Sequence, residues 1–325
     1  MGELPKSRVI PARCFLKVGV DFGGPVYLKQ GQRRNASLIK AYICLFVCMA
    51  TKAIHLEVVS NLTTDAFIAA LDRFISRRGL CEEICSDNGT NFKGANNQLS
   101  ELYEFLQSPE NKSELRRKLA ARKISWNFNP PSAPHFGGIF EAGIKSVKYH
   151  LRRTIGDQSL TFEEMSTLLY KIEAILNSRP LCSLSSDIED IEVLTPAHFI
   201  VGGPLLSLPE YDWSKEPRNY LSRWQLIQAI SQDFWAKWSL EYLHELQLRQ
   251  KWQHGTEPIA ENDIVLMKEN NVPPLHWPLA RVTHVHPGAD NVSRVVTVQR
   301  SDGRELQRPV VKLCRLPLDS SSGGQ

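Results

Sequence analysis

Leu16, Val18, Val20 and Phe22 alternate along the first ordered stretch of the chain, the period of a strand with one buried face, and Asp21 points away from that apolar set. Residues 38–48 and 53–59 carry two further strand patterns, divided by the polar pair Thr51-Lys52. Together they predict three meandering antiparallel strands. The period then changes. Thr63 or Thr64 caps a predicted helix over 65–78, which Gly79 ends. A short strand, 83–86, breaks at the turn signal Asn88-Gly89. Helical patterns cover 91–106 and 113–121, and a strand pattern covers 123–128. Pro130, Pro131 and Pro134 then fix a loop, and Gly137 and Gly138 let the backbone bend or sit close to a ligand. In the helix that follows, Ile144, Val147, Leu151 and Ile155 share one arc and form its buried face. A helix over 162–177 stops before Pro180. The pattern by itself gives an α/β class.

Beyond this point the pattern is looser. Residues 183–190 are polar and Asp-rich, a surface loop, and 202–218 are rich in Pro and Gly, a linker. A long helix is predicted over 220–253, with Trp224, Ile227, Ile230 and Phe234 as its core-facing stripe. Its aromatics, with Arg249 and Lys251, could stack on nucleic acid, but packing is the simpler role. Strand runs follow at 263–267, 279–284, 294–300, 305–308 and 310–313, divided by Pro, Asn-Asn and Asp302-Gly303 turns. Five short strands point to a small SH3-like or chromo-like β-barrel. Residues 319–325 read as a disordered tail.

Composition narrows little. The 325 residues are enough for two modest domains, and 42% hydrophobic with 23% charged residues is ordinary for packed cores. Lys+Arg 39 against Asp+Glu 35 leaves a net charge of only +4. The distribution is more informative than the sum. Residues 112–123 hold six cations and one acid, and 145–153 and 29–40 hold four cations each and no acid. Such patches suit phosphate backbone, although solubility alone also accounts for any one of them. Seven cysteines, none in a C-x-x-C with nearby histidines, argue against a disulfide framework and a structural zinc site. Cys14, Cys44, Cys48 and Cys85 sit in apolar strand patterns as small buried residues, which fits a reducing, intracellular setting. There is no signal peptide pattern, and 43–49 is too short to span a bilayer.

Candidate chemistry lies in three acids. On the helix after the Pro-rich loop, Glu141, Lys145, Lys148 and Arg152 fall within roughly 60° at about 100° per residue. Taken alone, that face is ordinary i,i+4 pairing. Asp21 in a strand interior and Asp87 at a strand end change its meaning. Hard divalent cations such as Mg2+ take oxygen ligands and keep positions open for substrate phosphate. Two such ions about 4 Å apart can activate an attacking oxygen and stabilise a leaving one.

Three segments carry a resemblance: Val-Gly-Val-Asp-Phe-Gly-Gly-Pro ending at Pro25, Ser-Asp-Asn-Gly-Thr-Asn-Phe around Asp87, and Pro-His-Phe-Gly-Gly-Ile-Phe-Glu ending at Glu141. They resemble, in order, the three acidic motifs of retroviral-type integrases. The closest likeness is to integrases of BEL/Pao-type LTR retrotransposons, which it follows through Glu-Ala-Gly-Ile-Lys-Ser-Val-Lys. The spacing from Asp87 to Glu141 is 141 − 87 = 54 positions, longer than in retroviral enzymes, with the excess around 98–122.

The resemblance implies an RNase H-like core over 14–201, a mixed five-stranded sheet with helices. A linker over 1–13 precedes it, and after the linker 202–218 come a helix and barrel over 219–318. It implies that Met1 is an internal residue of a longer polyprotein, with a zinc module upstream. It also implies DNA 3′-end processing and strand transfer on double-stranded DNA, both transposon ends and target. Asp21, Asp87 and Glu141 would be the catalytic residues and the ligands of two Mg2+ or Mn2+ ions. Asn88 and Asn91 would shape the metal loop beside DNA, and Lys145, Lys148 and Arg152 would hold the DNA end. A homo-oligomer acting in the nucleus, or carried in a cytoplasmic particle, is expected, with no membrane contact.

Two other readings stay open. A ribonuclease H would share the fold and the metals but needs a fourth core carboxylate, for which Glu57 is the candidate. A truncated or host-adopted DNA-binding relic would keep the fold without activity.

Overall fold

The computed structural model describes residues 10–317, apart from 34, 108–122, 130–133, 185–190, 254–258 and 291. The predicted helix over 113–121 therefore lies outside the described residues, as do most of the 183–190 loop, most of the 1–13 linker and the 319–325 tail. The chain divides into two compact units, Met1–Glu173 and Ala174–Gln325. The division falls inside a helix, upstream of the boundary at 201 read from the sequence.

In the first unit the chain runs β1 (Lys17–Lys29), β2 (Leu38–Cys48), β3 (Ile54–Val59), α1 (Thr64–Arg78), β4 (Glu83–Ser86), α2 (Thr90–Gln107), β5 (Ser125–Phe128), α3 (Pro134–Ile155), β6 (Leu160–Thr161) and α4 (Phe162–Asn177). The sheet order is β3-β2-β1-β4-β5. β1, β2 and β3 are antiparallel, β4 and β5 run parallel to β1, and β6 adds a short parallel pair to β1. This is a mixed sheet with helices, as the resemblance implies, and β6 makes it six-stranded rather than five. Thr63 caps α1, accepting the Ala66 N–H, and Gly79 closes it at φ 86°, a value glycine adopts without a Cβ penalty. Pro134 opens α3 rather than ending the loop before it, so Gly137 and Gly138 lie inside the helix. A first-turn proline loses no intrahelical bond and arrives with a helical φ.

β1 carries different chemistry on its two faces. Phe22 stacks on Phe92 at 5.3 Å and meets Phe67 edge-on at 6.0 Å, side chains of α2 and α1. Phe46 of β2 stacks on Phe74 at 4.4 Å in the same layer. Each buried Phe contributes roughly 2 kcal/mol by removing its area from water. On the opposite face, Gly19, Asp21 and Gly23 alternate beneath α3, which seats Phe140 and Ile144 against the strand. Ile144, Val147 and Leu151 are buried as their arc predicts.

The second unit contains β7 (Cys182–Ser183), β8 (Val193–Leu194), the single turn α5 (His198–Val201), the long helix α6 (Arg223–Gln253) and β9 (Ile264–Met267). Then come β10 (Leu279–Pro287), β11 (Ser293–Arg300), β12 (Glu305–Pro309) and β13 (Leu313–Arg315). The last five strands make one antiparallel sheet, β12-β11-β10-β9-β13. Val265, Val282, Val296 and Val298 are among the residues of its core.

Three expectations change here. Val310–Lys312 is a 3-10 turn, and the last strand starts at Leu313. The stretch 202–218, expected as a linker, is anchored on α6. The Trp213 backbone N–H donates to Gln232 Oε1 and its indole N–H to Gln228 Oε1, both at 3.0 Å. Arg218 also pairs with Asp233. Trp224, expected in the apolar stripe, is 65% exposed, while Leu226, Ile227, Ile230 and Phe234 are buried. At about 100° per residue those four share an arc of roughly 100°, and Trp224 falls roughly 60° outside it.

Candidate active site

Asp21 stands mid-strand on β1, paired across to Leu45, with its Oδ1 accepting the Phe22 N–H at 2.7 Å. Asp87 follows the last residue of β4 and folds its Oδ1 back onto the Gly89 N–H at 2.9 Å, an Asx turn that fixes the loop ahead of α2. Glu141 lies on the exposed face of α3, one residue past buried Phe140. Burial is the main influence raising the Asp21 carboxyl. The Phe22 N–H opposes it, and the negative charges of Asp87 and Glu141 push it further up, to about 6. Acids 66 and 54 positions apart in sequence (87 − 21 and 141 − 87) thus act on one another through their fields. Among the described residues, no group of three or more His, Cys, Asp or Glu side chains, Asp21, Asp87 and Glu141 included, is placed to hold a metal ion as it stands.

Glycine explains how a helix reaches this strand. A Cβ on Gly19 would lie 2.4 Å from Phe140 Cδ1, and one on Gly23 would lie 2.8 Å from Ile144 Cδ1. The Gly-x-Asp-x-Gly row leaves Asp21 as the one side chain on the α3-facing side of residues 19–23, and Phe140 and Ile144 close over its flanks. The sequence analysis did not pick out these two glycines. Their period-2 placement around Asp21 was the available signal.

The residues around Asp87 are tied together. Asn88 Nδ2 donates to the Asn129 carbonyl at 2.5 Å, linking the Asp87 loop to the end of β5. The Trp126 indole donates to Ser86 Oγ at 2.9 Å. Asn91 Nδ2 is buried with no hydrogen-bond partner among the described residues, and its Oδ1 would meet a Cβ on Gly89 at 2.7 Å. Lys145, Lys148 and Arg152 are exposed on the Glu141 face. Lys148 has a structural partner: its Nζ donates to the Gly24 carbonyl at 3.0 Å, where β1 bulges between Gly23 and Val26.

Residues 222–316 match the profile of a family of unknown function, DUF5641. The match covers the long helix and the antiparallel sheet, and leaves out all three acids. No curated protein matches the chain. Among solved structures, the chain is similar to one from the simian T-cell lymphotropic virus intasome in complex with PP2A regulatory subunit B56 gamma. They are 12% identical over 98% of this chain and 85% of that one, with a TM-score of 0.36.

Glu57 does not join the acids. It pairs with Cys44, which pairs with Phe22, so it belongs to the sheet face opposite Asp21. There Arg73 Nε binds its Oε2 at 2.8 Å, Arg77 binds its Oε1 at 3.2 Å, and His55 Nε2 lies 3.2 Å from Oε1. Burial alone would raise Glu57, but hydrogen bonds from His55 and Arg73 outweigh it and hold the carboxyl below its usual value. Glu173 completes the cluster, binding the Leu56 N–H at 2.9 Å and Arg78. This buried network is structural, and it takes Glu57 away from the ribonuclease H reading as a fourth metal carboxylate. His198 is structural as well, its Nδ1 accepting the Thr195 N–H at 3.1 Å.

Proposed function

We propose that this chain cuts and joins DNA as an integrase does, processing 3′ ends and transferring them to target DNA. Asp21, Asp87 and Glu141 would hold two Mg2+ or Mn2+ ions. The observation that carries the reading is that acids from a strand interior, a strand end and a helix come near enough for the charges of Asp87 and Glu141 to add to the burial that raises Asp21. An oxygen-only donor set under like-charge strain suits a hard divalent cation, which relieves that strain on binding. The three motif resemblances point the same way.

Bound there, divalent ions supply an activated oxygen nucleophile and stabilise the leaving 3′ oxygen. The protein supplies the positions. β1 fixes Asp21 in the sheet, the Asx turn fixes Asp87, and packing on Gly19 and Gly23 fixes the α3 register that presents Glu141. Lys145, Lys148 and Arg152 continue that face with positive charge for the DNA backbone. Asn88 holds the Asp87 loop, and Asn91 lies beside it. A homo-oligomer would bring two DNA ends together, and action on chromosomal DNA would put the protein in the nucleus.

A strand-transfer assay with Mn2+ and a duplex carrying the element's end tests the reading. The wild-type chain should join ends, and Asp87→Asn should abolish joining while leaving the circular dichroism spectrum intact. Joining that survives Asp87→Asn removes the metal-site assignment.

A further inference from the structure

Outside the acidic site, one cluster of reactive side chains has no role in DNA transfer. Cys14 precedes β1 and Cys48 ends β2, and their side chains meet around Thr51, with Cys48 Sγ against the backbone of Phe15, the residue after Cys14. Cys48 Sγ also accepts the backbone N–H of Phe15 at 3.2 Å and of Thr51 at 3.4 Å. Thr51 Oγ1 lies 3.4 Å from Cys14 Sγ, so the two sulfurs share one hydroxyl neighbour as well. At Cys14 the neighbouring Cys48 thiol and burial outweigh the Thr51 hydroxyl and the Arg78 guanidinium and hold the thiol well above its ordinary value, so Cys14 keeps its proton. At Cys48 the fixed N–H donors favour thiolate over thiol, and thiolate is the reactive form of cysteine.

The geometry points to Cys14 and Cys48 as a peroxide-reactive dithiol that closes to a disulfide. Cys48 is almost fully buried and Cys14 half-buried, so the oxidant class is a small hydroperoxide rather than a bulky disulfide. The Cys48 thiolate attacks one peroxide oxygen, and the O–O bond breaks. Cys48 becomes a sulfenic acid, and hydroxide leaves and takes a proton to become water. The Cys14 sulfur then attacks the sulfenic sulfur, the S–S bond forms, and a second water leaves. Two thiols and one peroxide thus yield one disulfide and two waters. The Cys14 thiol, the Thr51 hydroxyl and the two N–H donors lower Cys48 against the cost of burial while Cys14 is raised, which matches Cys48 as the attacking sulfur and Cys14 as the second. Elsewhere the surroundings are inert. Burial raises the thiols of Cys44, Cys81, Cys85 and Cys314, which keeps them protonated.

The test uses the full chain, reduced, desalted and exposed to a slight molar excess of hydrogen peroxide. The expected product is about 2 Da lighter, retains five of its seven thiols for alkylation, and yields one crosslinked peptide joining Cys14 to Cys48. In Cys14→Ser the second step has no partner, so Cys48 should accumulate as a sulfenic acid that dimedone captures. The inference is overturned if Cys14 and Cys48 stay alkylatable while other cysteines oxidise, or if the crosslink joins any other pair. The wild-type measurement decides this by itself, whether or not the variant folds.

Discussion

Gly19 offers bare backbone to the ring of Phe140, and a Cβ there would stand 2.4 Å from Phe140 Cδ1. Gly23 repeats the relationship with Ile144 at 2.8 Å. Asp21 lies between them, so the contact that seats α3 on the sheet also sets how near Glu141 comes to Asp21.

Substitutions at these glycines should therefore rank by what the new methyl meets. Phe140 is a buried ring with no room to turn aside, so Gly19→Ala should cost about 1–3 kcal/mol through overpacking. Gly23→Ala meets the movable end of Ile144 and should cost less. Gly138, in the same helix, has nothing within 4 Å of an added Cβ, so Gly138→Ala should be neutral or gain up to about 1 kcal/mol of helix propensity. Urea unfolding midpoints check the order. Gly19→Ala should also lose joining activity under conditions where it remains folded. A Gly19→Ala protein as stable as wild type would remove the close-packing account.

The folded chain holds the Asp21 proton up to about pH 6, whereas an unfolded Asp releases it near its ordinary value of 3.8. Between those values the native state binds more protons, so stability falls as pH rises through that window. This is the reverse of an ion-paired acid. Asp21→Asn removes the charge, so its melting temperature should exceed that of wild type at pH 7, with the gap closing by about pH 4. Mg2+ or Mn2+ should raise the wild-type melting temperature at pH 7, because a ligand of the native state alone stabilises it. The same ions should do little for Asp21→Asn. Thermal unfolding at pH 4, 5, 6 and 7, with and without metal, reads out both effects. Equal metal stabilisation of both proteins would place the ion elsewhere.

What the sequence disclosed follows from how local each signal is. Period-2 alternation located β1 and the side to which Asp21 points, because a strand shows its faces in four residues. The 3.6 period found the buried arc of α3, and Thr63 and Gly79 marked the ends of α1. Trp224 escaped because 3–4 spacing drifts around a helix, and a residue one step before a stripe can fall off it. The segment 202–218 escaped because Pro and Gly report a lack of regular structure and say nothing about Trp213 bonding to Gln228 and Gln232. Glu57 and Asp21 are both acids in strands, and only the pairing register across β2 separates their faces. The roles of Gly19 and Gly23 needed the partner helix, which no local pattern contains.

Lys145 and Lys148 both follow Glu141 on α3, but the structure gives them unequal work. Lys145 is exposed, whereas Lys148 already donates to the Gly24 carbonyl at 3.0 Å. A lysine that neutralises a DNA phosphate releases counterion, and losing it should lower the slope of log affinity against log salt by roughly 0.9 on B-DNA. Lys145→Ala should show that full change and weaken all duplex sequences alike, since phosphate contacts carry little sequence information. Its stability should hold, because Ala is a better helix former than Lys. Lys148→Ala should behave differently. It leaves the Gly24 carbonyl to water, costing roughly 1 kcal/mol of stability, and its salt slope should fall by less, because part of the ammonium's hydrogen bonding is spent within the protein. Fluorescence anisotropy of a labelled duplex across a salt series, beside urea unfolding, separates the two lysines. Equal slopes for wild type and Lys145→Ala would show that this face of α3 does not meet the DNA backbone.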